Sequence, residues 1–384
     1  MGWRHVATLL LVLVTGGCTA LGYYAGAANG QLELLRAARP VEELLTDPDT
    51  DPALAERLRT ARAMVVFATE ALGLPPGGSY RDYAALERRF VAWNVFAAPE
   101  FSLEPEQWCY PLVGCLAYRG HFDPAAAGHD ADRQRALGHD VHVGGVIAYS
   151  TLGWFDDPLL DTFLFRRDDR LARLLFHELA HRRLFVAGDT LFNESFATAV
   201  AAEGVRRWLL AHGDDGLLKA RTVENDRRQE VVDLLLDLRG RLESLYASGV
   251  PEAVMRRGKA ELLAVVEDDY AVLRTGWDGD VGYDAWMRGG LNNAKLNTIG
   301  LYHHLVPAFR ALLVQHGGDF ETFYAAVEAL AEMPEERRHT RLEELATLWS
   351  DGMAPRDGAL QVARAPGIKM LTVAPPSASR PLPD

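Results

Sequence analysis

Apolar residues recur every three or four positions over most of the chain, and this spacing predicts a predominantly helical protein. The pattern is clearest after Pro158. Apart from the segment that carries the candidate chemistry, the predicted helices are Gln31–Ala38, Pro52–Leu72, Tyr83–Trp93, Val223–Ser248, Pro251–Arg274, Leu291–Val314, Phe320–Ala331 and Glu335–Leu348.

A mixed region of turns and short strands extends from about Asn94 to Phe155. Its clearest predicted strand is Val141–Thr151, which is rich in β-branched and aromatic residues. Gly144 and Gly145 in this strand either let another backbone approach closely or mark a bulge in an interior strand, and the sequence leaves both alternatives open. The elements together indicate an α+β fold, mainly helical, with a small strand region.

Size and charge limit the class of protein. The chain has 384 residues, of which 48% are hydrophobic and 24% charged. This suits one domain over 18–364, or two packed lobes, one mixed over 94–155 and one helical over 156–364. The net charge of −13 is spread along the chain, so a nucleic acid partner is not expected. The oligomeric state stays open. Residues 365–384 contain five prolines and are predicted to form a flexible tail.

The first eighteen residues predict export and a lipid anchor. Arg4 is followed by an apolar run over Val6–Val14, too short to cross a membrane but suited to a secretory signal. Thr15-Gly16-Gly17-Cys18 looks like a bacterial lipobox, with Thr15 in place of the usual leucine. Cleavage after residue 17 would leave Cys18 for acylation and place the protein at the bacterial cell envelope, facing the periplasm. Ordinary secretion with Cys18 unmodified is the alternative.

Two further cysteines agree with export. Cys109 and Cys115 complete the chain's set of three. In an oxidising compartment such a pair is predicted to form a disulfide rather than to stay reduced. A metal role for this pair is not expected, because His121 alone does not complete a set of four ligands.

The most informative stretch is residues 177–181, which read His-Glu-Leu-Ala-His. On a helix, His177 and His181 lie one turn apart on the same face, where both imidazoles reach one Zn²⁺. Glu178 lies at the edge of that face, where its carboxylate can hold a water. Glu194, thirteen positions past His181, is the candidate third ligand. Three protein ligands leave an open position, which is typical of a catalytic zinc rather than a structural one.

The surrounding pattern predicts two antiparallel helices. The residues before the motif are apolar at helical spacing, Gly188 and Asp189 break the pattern, and a second helix is predicted from Asn193 as its N-cap to about Ala211. Glu194 would then lie in its first turn. The alternative is a chance motif with two ordinary histidines. The apolar setting disfavours it, because burying Glu178 without a metal would cost on the order of several kcal/mol.

These residues resemble known families. The metal motif is similar to that of the gluzincin metallopeptidases, and Asn193–Ala197 is similar to the third-ligand segment of the zinc aminopeptidases. The mature chain resembles a bacterial family of predicted aminopeptidase lipoproteins. The segments that carry this resemblance are Trp108–Cys115, Ala117–Gly120, Ala148–Phe155 and Leu291–Leu296. The resemblance implies one zinc ion per chain, a peptide substrate, and an edge strand beside the metal helix on which the peptide lies. In some gluzincins an aspartate four residues after the glutamate ligand orients a histidine. This chain has Thr198 there, whose hydroxyl could still accept a hydrogen bond, and Asp189 is another candidate for this role.

The implied reaction is peptide hydrolysis with Glu178 as general base. In related zinc peptidases a tyrosine or histidine distant in sequence stabilises the oxyanion. Tyr302 is the candidate here, with His303 and His304 as alternatives and packing as the structural explanation. Asn292 and Asn293 are predicted either to hold the substrate backbone or to cap a helix.

An aminopeptidase also needs either a carboxylate for the free ammonium of its substrate or a metal pocket that closes after one residue. Asp156, Asp157 and Glu203 are candidates on sequence alone. Two other functions stay open: a zinc endopeptidase, and an envelope lipoprotein that binds metal without catalysis. The intact Glu178 argues against the second, since a structural zinc site needs no base.

Overall fold

The computed structural model describes residues 22–110, 114–148, 151, 155–277 and 283–350, and side chains among these except at 300–303 and 348–350. The predicted signal, Cys18 and the Pro-rich tail lie outside the described residues. The helices are α1 over 22–37, α2 Val41–Thr46, α3 Pro52–Leu72, α4 Pro124–Ala136, α5 Asp161–Leu164, α6 Asp168–Arg183, α7 Thr190–Ala211, α8 Asp215–Tyr246, α9 Glu252–Thr275, α10 Asp284–Met287, α11 Asn293–His303, α12 Val306–Gln315, α13 Phe320–Ala331 and α14 Glu335–Ser350.

The strands form three small sheets. They are β1 Ala38–Pro40, β2 Asp82–Ala84, β3 Ala92–Pro99, β4 Trp108–Tyr110, β5 Gly114–Leu116, β6 Arg119–His121, β7 His139–Val146 and β8 Leu159–Leu160. The sheet orders are β1-β2-β8, β6-β3-β7 and β4-β5. Helix α4 covers one face of the middle sheet through Ala127 and Ala131, which pack with Val95. The prediction of a mainly helical α+β fold is confirmed.

Helices α6 and α7 lie at the centre of the largest hydrophobic core. This core joins buried side chains from the N-terminal helices, from the β1-β2-β8 sheet and from α12 to α14. Phe176, Phe192 and Phe196 are fully buried in it. Burial of each such side chain contributes roughly 1.5–3 kcal/mol, so the helix pair is held rigidly from several directions.

A second core lies between α8 and α9, where Val231, Leu235, Leu238 and Val266 pack with residues of α11. The main core takes its buried side chains from before residue 94, as at Leu34, and from after residue 156, as at Leu345.

Several predicted boundaries are wrong. The segment Tyr83–Trp93, for which the pattern predicts a helix, instead contains part of β2 and the start of β3, which pair with β8 and β7 far along the chain. The predicted helix Leu291–Val314 is two helices, because Pro307 lies in the first turn of α12, where its missing amide is tolerated, and could not lie inside one continuous helix. The predicted strand Val141–Thr151 ends at Val146. Of the helices that the structure describes, none is both long and apolar enough to cross a membrane.

Candidate metal centre

Helix α6 carries the two histidines on a fixed scaffold. Its first turn begins with Asp168 and Asp169 and its last turn contains Arg182 and Arg183, an order that suits the helix dipole. Leu171, Leu175 and Leu179 are fully buried on the core face. The histidines of the motif lie on a neighbouring face, toward α7.

Helix α7 starts four residues earlier than the sequence predicts. The Asp189 side chain is its N-cap and accepts a hydrogen bond from the Phe192 amide at 3.0 Å. The Asn193 side chain instead fastens the preceding loop, since it accepts from the Val186 amide and donates to the Val186 carbonyl, both at 2.8 Å. The assignment of Asn193 as N-cap is therefore wrong, and Glu194 lies in the second turn of α7, facing α6.

The helix pair brings the three candidate ligands together. The Nε2 atoms of His177 and His181 lie 3.1 Å apart. The Glu194 carboxylate oxygen Oε2 lies 3.2 Å from His177 Nε2 and 3.7 Å from His181 Nε2. The histidine rings are perpendicular, with centroids 4.7 Å apart. One nitrogen from each ring and one carboxylate oxygen thus form a compact triangle.

This triangle fits a tetrahedral zinc ion. Zinc bonds of 2.0–2.1 Å place neighbouring ligand atoms about 3.4 Å apart, close to all three separations above. His181 is buried, and its Nδ1 atom has no hydrogen-bond partner among the described residues. His177, His181 and Glu194 are therefore suited to hold one metal ion, with a fourth position left to another ligand.

The charges of the cluster are strongly coupled. Burial opposes ionisation of Glu194, but His181 and His177 outweigh it and hold the pKa of the Glu194 carboxyl far below its ordinary value. Burial opposes the charged form of His181, but Glu194 outweighs it and raises the pKa of His181. Burial raises the pKa of the Glu178 carboxyl, and the nearby histidines only partly offset this. The triangle thus holds a carboxylate that requires a positive partner.

Two tyrosines lie near Glu178. Tyr80, in the loop after α3, has the Glu178 and Asp157 carboxylates as charged neighbours. Tyr118, between β5 and β6, has Glu194 and Glu178. The sequence marked Tyr118 only as part of a resembling segment and gave no sign of Tyr80, because its approach to α6 depends on a long-range fold. Tyr302 lies on α11, but its side chain is outside those described.

The three carboxylates considered for an ammonium have different surroundings. Glu203 is paired with Arg206 and Arg207 at 2.7–2.8 Å. The Asp156 carboxylate lies against Gly78. Asp157 is buried, accepts from the Thr151 amide, and contributes to the electrostatic environment of Glu178. Of the three, the coupling to Glu178 singles out Asp157.

Strand β7 lies at an edge of its sheet and pairs with β3 without interruption from Ala92↔Val146 to Pro99↔His139. The register shows no bulge at Gly144 or Gly145. Of the two alternatives, the structure therefore favours an edge strand that another backbone can approach over an interior strand with a bulge. A Cβ atom on Gly145 would lie 2.5 Å from the Phe90 ring, while Gly144 meets only ordinary contacts. Gly145 is therefore required by packing as well.

The two asparagines are bound within the protein. Asn292 caps α11 by accepting from the Lys295 amide at 2.9 Å, and its Nδ2 donates to the Val141 carbonyl. Asn293 is fully buried; its Nδ2 donates to three backbone carbonyls, and its Oδ1 accepts from the Tyr246 hydroxyl. These contacts favour the capping alternative and fasten α11 to β7.

Two other assignments concern the surroundings. Asp189 does not orient a metal histidine, because its Oδ2 atom accepts from Arg338 and His339 instead.

Cys109 and Cys115 are joined by a disulfide across β4 and β5. A Cβ atom on Gly114 would lie 2.7 Å from the Gly188 nitrogen, so this hairpin is in close backbone contact with the loop between α6 and α7.

A family model described as "Putative aminopeptidase" matches residues 22–342. No curated protein matches the chain, and no solved structure matches it. The matched range includes the whole candidate metal centre.

Proposed function

The chain belongs to the "Putative aminopeptidase" family, and from this membership and the metal centre we propose that it is a zinc aminopeptidase of the bacterial cell envelope. His177, His181 and Glu194 would hold one zinc ion per chain in the manner of gluzincins. The observation that carries the proposal is the triangle of Nε2 and Oε2 atoms with edges of 3.1–3.7 Å, beside a glutamate that takes no part in it.

Zinc and Glu178 have separate roles in the proposed reaction. When bound, zinc lowers the pKa of a coordinated water and polarises the substrate carbonyl. Glu178 is one residue from a ligand and its burial raises the pKa of its carboxyl, which suits a group that must take up and release a proton. Its carboxylate accepts the proton of the attacking water and returns it to the leaving amine. No covalent intermediate with the protein is needed.

Strand β7 is suited to hold the peptide. Its position at the sheet edge leaves backbone groups for pairing with an extended substrate. Val146, Ile147 and Ala148, at and beyond its end, pack against the core that contains α6. A peptide that adds to this edge is thereby directed toward the metal helix, with Gly144 and Gly145 allowing close approach.

Cleavage at the N-terminus distinguishes the proposed aminopeptidase from an endopeptidase. Asp157, near Glu178, is the carboxylate best placed for a substrate ammonium. An ion pair in a partly desolvated site would favour free over acetylated peptides by roughly ten- to hundredfold. Matched free and acetylated peptides, digested with the zinc-loaded protein and read by mass spectrometry, test this. Equal cleavage of both at internal bonds would support an endopeptidase instead. Zinc binding without hydrolysis of any peptide would support a metal-binding protein without catalysis.

The envelope location rests on Cys18 and on the disulfide. The Cys109–Cys115 bond is typical of an oxidising compartment. We propose that acylated Cys18 anchors the protein to a membrane facing the periplasm. Cys18→Ser should release the protein from membranes, whereas Cys109→Ser should not. A wild-type protein that fractionates in the cytosol with free thiols would contradict the location.

A further inference from the structure

Tyr80 has an unusual backbone for a buried aromatic residue. Its side chain is 8% exposed and its φ angle is +65°. Glu87 is the other non-glycine residue with positive φ in the described part of the chain. A left-handed conformation at such a residue costs on the order of 1–3 kcal/mol and persists where the surroundings enforce it.

Contacts with the end of the metal helix enforce the Tyr80 conformation. The Tyr80 amide donates to the Asp157 carbonyl at 2.7 Å. The Ser79 hydroxyl accepts from the Asp157 amide and from the Arg182 guanidinium, both at 2.9 Å. Arg182 directly follows His181 on α6. A Cβ atom on Gly77 would lie 2.4 Å from that guanidinium, so the whole loop is closely packed on the last turn of α6.

The Tyr80 hydroxyl has no hydrogen bond to any residue that the structure describes. The Tyr80 oxygen is not among the fully buried polar atoms that lack a partner in the described residues, so the hydroxyl is open to a further hydrogen-bond partner. Its charged neighbours are Glu178, Asp157 and Arg182. The strained loop therefore holds this hydroxyl close to the candidate base.

Tyr118 also lies near Glu178, and it approaches from the strands rather than from the loop after α3. It lies between β5 and β6, and its ring packs against Phe96 with centroids 5.6 Å apart. The contact of Gly114 with Gly188 holds the β4-β5 hairpin, which precedes Tyr118, beside the α6–α7 loop. The Tyr118 hydroxyl also has no hydrogen bond to the described residues, and Glu194 and Glu178 are its charged neighbours.

We propose that Tyr80 and Tyr118 are catalytic residues whose hydroxyls both donate hydrogen bonds to the substrate carbonyl oxygen as negative charge develops on it. The inference rests on the proposed function and names the donors that the hydrolysis requires. Hydrogen-bond donors that are already in place stabilise such an oxygen without reorganisation, and loss of one donor typically lowers kcat by about 10²–10³. The pair fills the role for which sequence alone suggests Tyr302.

Single and double Tyr→Phe variants test this, since phenylalanine keeps the ring and removes only the donor. Tyr80→Phe and Tyr118→Phe should each lower kcat by about 10²-fold or more, with little change in KM and with full zinc content. The control is Tyr83→Phe, a neighbouring buried tyrosine whose charged neighbour is Asp161; it should keep wild-type kcat.

The affinity of a transition-state mimic for the same variants is a second measurement. A phosphinic peptide, whose tetrahedral oxygens mimic the attacked carbonyl, should bind each zinc-loaded Tyr→Phe variant more weakly in proportion to its loss of kcat. Wild-type kcat and phosphinic peptide affinity in both variants would overturn the proposal while the zinc mechanism stands. A loss in only one variant would overturn the pair and leave a single donor. If the wild type hydrolyses no peptide, the proposed function fails, and the phosphinic peptide affinities still decide whether the tyrosines contact that oxygen.

Discussion

Two groups of acid and histidine side chains, each with a buried carboxylate, meet α7, and their charges are balanced in different ways. In the second turn, Glu194 lies with His177 and His181. At the N-cap, Asp189 lies with His339 and with the exposed Glu335 nearby, so both groups offer ligand atoms within reach of one cation. The second group also contains Arg338, whose Nη2 and Nε atoms donate to Asp189 Oδ2 at 2.6 and 2.9 Å.

Arg338 accounts for the difference in charge balance between the two groups. A guanidinium is always charged, so Asp189 is neutralised within the protein and needs no metal. In the part of the chain described, no arginine or lysine bridges Glu194; its ion partners are the two histidines. The comparison shows that ligand atoms within reach of one another do not define a metal site. What distinguishes the first group is a buried carboxylate without a permanent cation.

The largest expected effect is loss of metal on changing a ligand of the first group. Glu194→Ala or His177→Ala should weaken zinc binding by more than about a hundredfold, since changes in the supporting residues alone cost 10–100-fold. The matched change Asp189→Asn should keep one zinc per chain. Metal content after dialysis, measured by mass spectrometry, checks both. Equal zinc content in all three variants would abolish the distinction between the groups.

The next effect concerns stability. Arg338→Met leaves the Asp189 carboxylate buried without its guanidinium partner, at the N-cap of the helix that carries Glu194. Because the pair is almost fully buried, we expect unfolding free energy to fall by about 3–5 kcal/mol. Denaturant unfolding at neutral pH measures it. A loss below 1 kcal/mol would mean that Asp189 does not depend on Arg338.

The smallest effect is a pH dependence. The hydrogen bond to Asp189 raises the pKa of His339 above its ordinary value. The stabilisation from His339 is therefore fully present below pH 6.5 and is lost as the pH rises through the raised pKa. His339→Asn should cost about 1 kcal/mol at pH 6 and much less at pH 9. Unfolding of both proteins at the two pH values decides it; a difference that grows with pH would have the wrong sign.

The same contrast shows what could be predicted from sequence. The motif over 177–181 and the break at Gly188 define the helix pair, because helical spacing and turn residues act locally. Asn193 and Asp189 are both good caps, and the choice between them is made by Arg338 and His339, about 150 residues away. The segment Tyr83–Trp93 fails for a similar reason, since β2 and β3 form by pairing with distant strands.

The candidate site also contains residues that could be predicted from the sequence and residues that could not. His177, Glu178 and His181 follow from spacing within one helix, and Glu194 follows from the expected hairpin of two helices. Tyr80 could not be found, because its position depends on Ser79 contacting Arg182 across the fold. Asn292 and Asn293 stood out as unusual residues in a helical stretch, and the structure accounts for them by capping and by contacts to β7 and the segment after β3.

Glu178 is the base on which the proposed zinc-dependent hydrolysis most directly depends. Glu178→Gln changes neither a ligand nor the volume of the side chain, and glutamine cannot take a proton from water. Zinc content and peptide turnover should therefore be measured on the same preparations of wild type and Glu178→Gln. We expect one zinc per chain in both proteins and a loss of kcat of about 10²–10⁴-fold in the variant. Hydrolysis by the variant at the wild-type rate, or an active wild type without zinc, would contradict the account.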